Sequence, residues 1–153
     1  ADGINGPMAA KLVGGMTPPI GAFIATLLAK KKFAQAQIDT AKAAFPMGLC
    51  FITEGVLPFA AADPVRFIIS SVLGSATAGA IAVGSGVESV AAHGGIFVIP
   101  MMTNPLMFVV ALVIGSVVTG VVYAVIKRET VAETETVENS ETDDFDFDIT
   151  LEE

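Results

Sequence analysis

Two residues in this chain stand where their chemistry is expensive. Glu54 lies in CFITEGVLPFA, residues 50–60, an otherwise apolar run whose nearest cations, Lys42 and Arg66, are each 12 positions away. His93, the single histidine, lies in VAAHGGIF, residues 90–97. An ionised carboxylate at the centre of a bilayer costs about 2.5–3.5 kcal/mol on insertion scales, so such a residue marks a function by default. One reading makes Glu54 an acceptor for the hydroxyl groups of a polar substrate, with Thr53 beside it. The other makes it a carboxylate at a helix end, satisfied by backbone donors near Gly55. His93 divides in the same way. It can donate to a substrate oxygen or accept a proton, with Gly94 and Gly95 allowing close backbone approach. It can equally be a loop histidine bonded to a carbonyl.

The remaining reactive groups point elsewhere. Asp63 and Arg66, in AADPVRF, are three apart across Pro64, and Asp63 is placed to cap a helix whose first residue is that proline. Cys50 has no basic neighbour to make it a nucleophile, and a single cysteine forms no intrachain disulfide. One Cys and one His do not make a zinc site, and no metal or cofactor is expected. There is no phosphate-binding loop, no GxSxG and no dinucleotide fingerprint. No basic patch with interleaved aromatics is present, which excludes nucleic acid as a partner.

The elements that hold these residues are read from composition. The 153 residues are 53% hydrophobic and 16% charged, too apolar for an ordinary soluble domain. Residues 129–153 carry eleven of the sixteen acids and no Lys or Arg, so residues 1–128 have a net charge of +3. The chain therefore divides into an apolar membrane block, 1–128, and an acidic linker or tail, 129–153, expected to be disordered. The final FDFDITLEE alternates like a strand and could open a further domain. The first residues lack an initiator Met and a signal peptide, and the chain looks like part of a longer protein.

Four apolar stretches follow, at 12–29, 43–62, 67–87 and 106–126. A membrane-crossing helix needs about 20 apolar residues. The fourth stretch meets that without a single charge and ends at Lys127-Arg128. The third meets it with Gly74, Ala78 and Ala82 four apart, the small-residue face that lets membrane helices approach closely. Gly115 and Gly120 are five apart and do not repeat that pattern. The first contains MTPPIG, residues 16–21, a kink or loop, and closes at Lys30–Lys32. If both basic clusters share a side, an even number of crossings separates them. Three candidate stretches intervene, so one is re-entrant or 95–102 contributes. The second stretch, broken by Pro46 and Pro58, is the best re-entrant candidate, and 93–105 is a second broken element. Irregular backbone at membrane depth survives only when buried in protein or lining a watery cavity. The fold class is therefore all-α, with polytopic transmembrane helices and broken, re-entrant elements.

INGPM, MTPPIG, FITEGVLPFAAADPVR and AAHGGIFVIP, in that order, closely resemble the membrane-embedded IIC component of the fructose family of bacterial phosphotransferase-system sugar permeases. The resemblance runs from about Ile4 to about Arg128 and covers the C-terminal half of such a domain. It implies uptake of a sugar, usually fructose, across the bacterial inner (plasma) membrane by a multi-pass protein that phosphorylates it during transport. It implies a phosphorylated IIB domain as partner, a homodimer in the bilayer, and inactivity of the fragment alone. It implies sugar binding by Glu54, with His93, Gly94 and Gly95 near the same cavity; the residues themselves add Thr53 beside Glu54 as a binding group and His93 as a catalytic candidate that takes the hydroxyl proton. Asp63, Pro64 and Arg66 would face the side where IIB docks. Ala92 departs from the proline that often precedes the HGG histidine. The reading from another class is a non-catalytic channel or scaffold subunit, in which Glu54 pairs with a cation outside this chain.

Overall fold

The computed structural model describes residues 6–128; the acidic stretch, its expected disorder and Asn5 of INGP lie outside the described residues. The described residues are helical, with no strand among them. Five helices follow in order: α1 Gly6–Leu28, α2 Gln35–Leu49, α3 Leu57–Ala62, α4 Pro64–Gly84 and α5 Pro105–Ile126. Short 3-10 turns occupy Lys30–Lys32, Glu54–Val56 and Gly95–Met101. Helices α1, α4 and α5 are each long and apolar enough to cross a membrane.

These three pack on faces made of small residues. Gly74, Ala78 and Ala82 of α4 are all buried, as their spacing predicts. A Cβ on Gly115 of α5 would lie 2.5 Å from the Ala78 Cβ, so only hydrogen atoms fit between the two helices there. Thr119 of α5 sits between Gly74 of α4 and Gly21 of α1, whose own Cβ would lie 2.5 Å from the threonine side chain. Gly120 presses instead on Ile24 of α1. The five-residue spacing of Gly115 and Gly120 is thus two separate contacts, one with each neighbour. The pairings Gly74–Thr119 and Ala78–Gly115 run in opposite senses, so α4 and α5 are antiparallel. The pairings Gly21–Thr119 and Ile24–Gly120 advance together, so α1 and α5 are parallel.

The prolines of MTPPIG lie inside α1, where a loop was one of the two expectations. Pro18 has no N–H for the Gly14 carbonyl, four residues back. Ser75 of α4 supplies the missing donor, its Oγ lying 2.8 Å from the Gly14 oxygen. The helix continues because a neighbour repairs it. Ser75→Ala is expected to cost about 1–2 kcal/mol, since it leaves a carbonyl unpaired. Thermal unfolding of the complete protein in detergent measures this, and an unchanged midpoint would show the carbonyl bonded otherwise.

The basic residues gather at one end. Lys32 Nζ donates to the Ala124 carbonyl, 2.9 Å away, which ties the turn after α1 to the last turn of α5. Phe33, Phe59 of α3, Phe67 of α4 and Tyr123 of α5 form an aromatic cluster there, with centroids 5.2–6.4 Å apart. Lys127, only 3% exposed, sits with Nζ 4.8 Å from the Phe33 centroid. Burial there holds its pKa below the ordinary lysine value. Two crossings, α4 and α5, separate Lys30–Lys32 from Lys127-Arg128, which satisfies the even-number condition.

The second apolar stretch is the re-entrant one. From the aromatic cluster α2 runs back along α1, with Phe45 against Phe23 at 4.9 Å between centroids and Gly48 against Pro19. The chain reverses at residues 50–54, beside Gly15 of α1. It returns through α3 to the cluster. Gly15 lies about 14 Å along a helix about 34 Å long, so the reversal sits near mid-depth. The second broken element enters from the opposite end. Helix α4 ends at Gly84, and Gly86, at φ +65°, lets the Val87 N–H reach the Ala82 carbonyl at 3.0 Å while its own N–H reaches the Val83 carbonyl at 3.0 Å. Val87 is fully buried, and the chain turns inward to Gly95 before α5 begins.

Candidate functional site

The reversal at 50–54 is wound tightly on the end of α2. The Ile52 N–H donates to the Met47 carbonyl at 2.9 Å, and the Phe51 N–H to Gly48 at 3.1 Å. Phe51 adopts φ +66°, a left-handed conformation that costs a bulky residue roughly 1–2 kcal/mol. Neighbours on three sides hold it there. Its ring fills the space over Gly15 of α1, where a Cβ would lie 2.5 Å from Cε2. The His93 ring meets it edge to face at 6.2 Å. The backbone of Gly95 presses on the peptide from Leu49 to Phe51, where a Cβ would lie 2.7 Å from the Cys50 carbonyl carbon.

The structure therefore brings into contact the segments that carry two of the sequence-predicted groups. Thr53 and Glu54 stand on the reversal, with Glu54 opening the short turn whose Leu57 N–H bonds its carbonyl. His93, Gly94 and Gly95 stand on the opposing element and touch the reversal through Phe51 and the 49–51 backbone. Both Glu54 and His93 are exposed in this chain. Neither takes part in the ion pairs among the described residues, which join Lys42 to Asp39 and Arg66 to Asp63. An imidazole thus stands at the contact of two broken elements and a carboxylate three residues along the chain from Phe51, neither of them in an ion pair among the described residues. That arrangement suits a neutral ligand rich in hydroxyl groups: the carboxylate accepts and the imidazole donates or accepts.

Asp63 and Arg66 lie apart from this junction, at the basic end. Asp63 precedes Pro64 at the start of α4, as its sequence context predicts, but its side chain makes no cap hydrogen bond. Arg66 Nη1 donates to Asp63 Oδ2 at 3.0 Å instead. The charged partner on the same helix turn outcompetes the backbone donors. Sequence reasoning missed Phe51 and Gly15. The glycine pair at 14–15 was a visible cue, but a left-handed Phe carries no pattern of its own. Among the described residues, no group of three or more His, Cys, Asp or Glu could hold a metal ion.

Comparison with known proteins names the fold's relatives. The "PTS system fructose-specific EIIB'BC component" of Haemophilus influenzae is 55% identical over 127 residues, covering 83% of this chain and 23% of that protein. The "PTS system fructose-specific EIIC component" of Haloferax volcanii is 46% identical over 127 residues, covering 83% of the chain and 34% of that protein. The "Fructose permease IIC component" of Bacillus amyloliquefaciens is 41% identical over 122 residues, covering 80% and 40%. No family model and no solved structure matches. The chain spans well under half the length of these relatives. At 41–55% identity over at least 80% of its own length, the chain matches part of the permease components of the fructose phosphotransferase family.

Proposed function

We propose that this chain forms the C-terminal part of the membrane translocation domain of a fructose-type phosphotransferase permease, working in the inner membrane of a bacterial cell. The observation that carries the reading is the junction of the two broken elements, where Phe51, two residues before Thr53, packs against His93 and Gly95. The names of the relatives support fructose as the sugar and a IIB domain as the phosphoryl donor. Glu54 accepts hydrogen bonds from sugar hydroxyls, which replace the water an ionised carboxylate otherwise needs. In the chemical step the S–P bond to a IIB cysteine breaks and an O–P bond to a sugar hydroxyl forms. The hydroxyl proton passes to Glu54 or His93, and the thiolate stays on IIB. The chain's part in this is to orient the hydroxyl and exclude water.

The phosphorylated donor approaches from the basic end, where Lys30, Lys31 and Arg128 are exposed and attract an anionic partner. The Asp63–Arg66 pair stands at that end as a candidate docking contact. In this reading the complete protein is a homodimer whose outward apolar faces meet lipid. The test uses the complete protein in membrane vesicles with a phosphorylated IIB partner. Labelled fructose is expected to accumulate as its phosphate, and only when phosphorylated IIB is supplied. Facilitated entry of unmodified sugar, or no sugar dependence of phosphoryl loss from IIB, would sink the proposal and favour a channel or scaffold.

A further inference from the structure

Lys11 is an exposed cation five positions into α1, the first of the three helices long and apolar enough to cross a membrane. Of the eight Lys and Arg residues, most are accounted for at the other end of the bundle or on α2: Lys32 bonds Ala124, Lys127 sits on aromatic rings, Arg66 pairs with Asp63, and Lys42 pairs with Asp39. Lys30, Lys31 and Arg128 are exposed at the basic end. Lys11 alone lies toward the opposite end of α1. It joins neither ion pair among the described residues. Its Nζ stands 6.0 Å from the centroid of Phe51, the ring that packs on Gly15 one turn further along α1 and meets His93 at its edge.

The chemistry of the site calls for such a charge. This step rests on the proposed phosphorylation. Free sugar is neutral, but its phosphorylated product carries about two negative charges. Glu54, three residues along the chain from Phe51, repels that product and the phosphoryl group arriving to form it. Enzymes that transfer phosphoryl groups place Lys or Arg against them for this reason. We propose that Lys11 is the cation that binds the phosphoryl group of the sugar phosphate at this junction, with Phe51 steering its ammonium group. Free sugar does not need it.

The test compares ligands with and without the phosphoryl group on the complete protein. Binding of fructose, fructose 1-phosphate and fructose 6-phosphate is measured for wild type, Lys11→Met and Lys11→Arg, together with phosphoryl transfer from IIB. Removing a charge from a span does not oppose insertion, so Lys11→Met should reach the membrane. Lys11→Met is expected to weaken one of the two sugar phosphates by about tenfold, the size of one charge-assisted contact. Transfer should fall by roughly 10²-fold, as when one stabilising donor is removed from an active site. Fructose affinity should stay within about threefold, and Lys11→Arg should recover most of the loss. Unchanged sugar-phosphate affinity and transfer in Lys11→Met would overturn the proposal. So would equal weakening of fructose and its phosphates, which makes Lys11 a structural residue. If wild type binds no fructose, the uptake reading falls and this one with it; a failure confined to Lys11→Met leaves the uptake reading standing.

Discussion

Glu54→Gln in the complete protein should reduce fructose uptake and phosphorylation together, by roughly 10²-fold or more, while the protein still inserts. The estimate follows from two hydrogen bonds to an ionised acceptor, each about 1.5–3 kcal/mol, of which a neutral amide keeps only a part. Gln has the same length and shape, so packing against the reversal is preserved. It replaces one acceptor oxygen with a donor, which turns one sugar hydroxyl contact from attraction to repulsion. The membrane also gains from losing a charge, so carbonate-resistant insertion should be at least as efficient as in wild type. Uptake of labelled fructose and formation of its phosphate are measured in the same vesicles. Equal activity in wild type and variant would make Glu54 a helix-end carboxylate and remove it from the site.

The second large effect is expected at Gly95. Its φ of +55° is strained for any residue with a side chain, and its Cβ would run into the backbone of Leu49, Cys50 and Phe51. Backbone cannot rotate aside as a flexible side chain can. The left-handed conformation costs an alanine roughly 1–2 kcal/mol and overpacking about 1–3 kcal/mol more. Gly95→Ala should therefore separate the two broken elements, taking His93 away from Phe51. The three spanning helices do not depend on that contact, so the bundle should survive while activity falls by about 10²-fold, the size of effect that small misplacements produce. Activity and thermal unfolding of the complete protein in detergent are measured together. The backbone of Gly95 lies against that of Cys50, so the unfolding midpoint should fall as the contact opens. Wild-type activity and an unchanged midpoint would show that the junction tolerates the methyl group. Gly84→Ala, where a Cβ meets nothing within 4 Å, is the control and should leave both unchanged.

Much of this arrangement was legible because membranes impose strong local rules. The 21 apolar residues of 106–126 cannot be placed elsewhere at comparable cost, and Pro105–Ile126 is the helix observed. Gly74, Ala78 and Ala82 share a face by helical geometry alone, and that face is the buried one. The charge-parity conflict between Lys30–Lys32 and Lys127-Arg128 required one stretch to turn back or 95–102 to contribute. Pro46, Pro58 and the lone Glu54 marked which stretch that was. Each inference used residues within one helix length and the cost of a polar group in an apolar medium.

What the sequence alone determined, then, was the set of spans, the presence of broken backbone and the chemical identity of Glu54 and His93. The tertiary structure decided which of these meet. That Pro18 sits inside a helix depends on Ser75, 57 positions later in the chain, donating to the Gly14 carbonyl. That Gly115 and Gly120 serve different neighbours depends on where Ala78 and Ile24 lie. That Asp63 leaves its cap position for Arg66 is a competition between two donors, settled by distance. The junction itself rests on Phe51 in a left-handed conformation, pressed between Gly15, His93 and Gly95. Local propensity opposes that conformation, and only contacts from distant parts of the chain outweigh it.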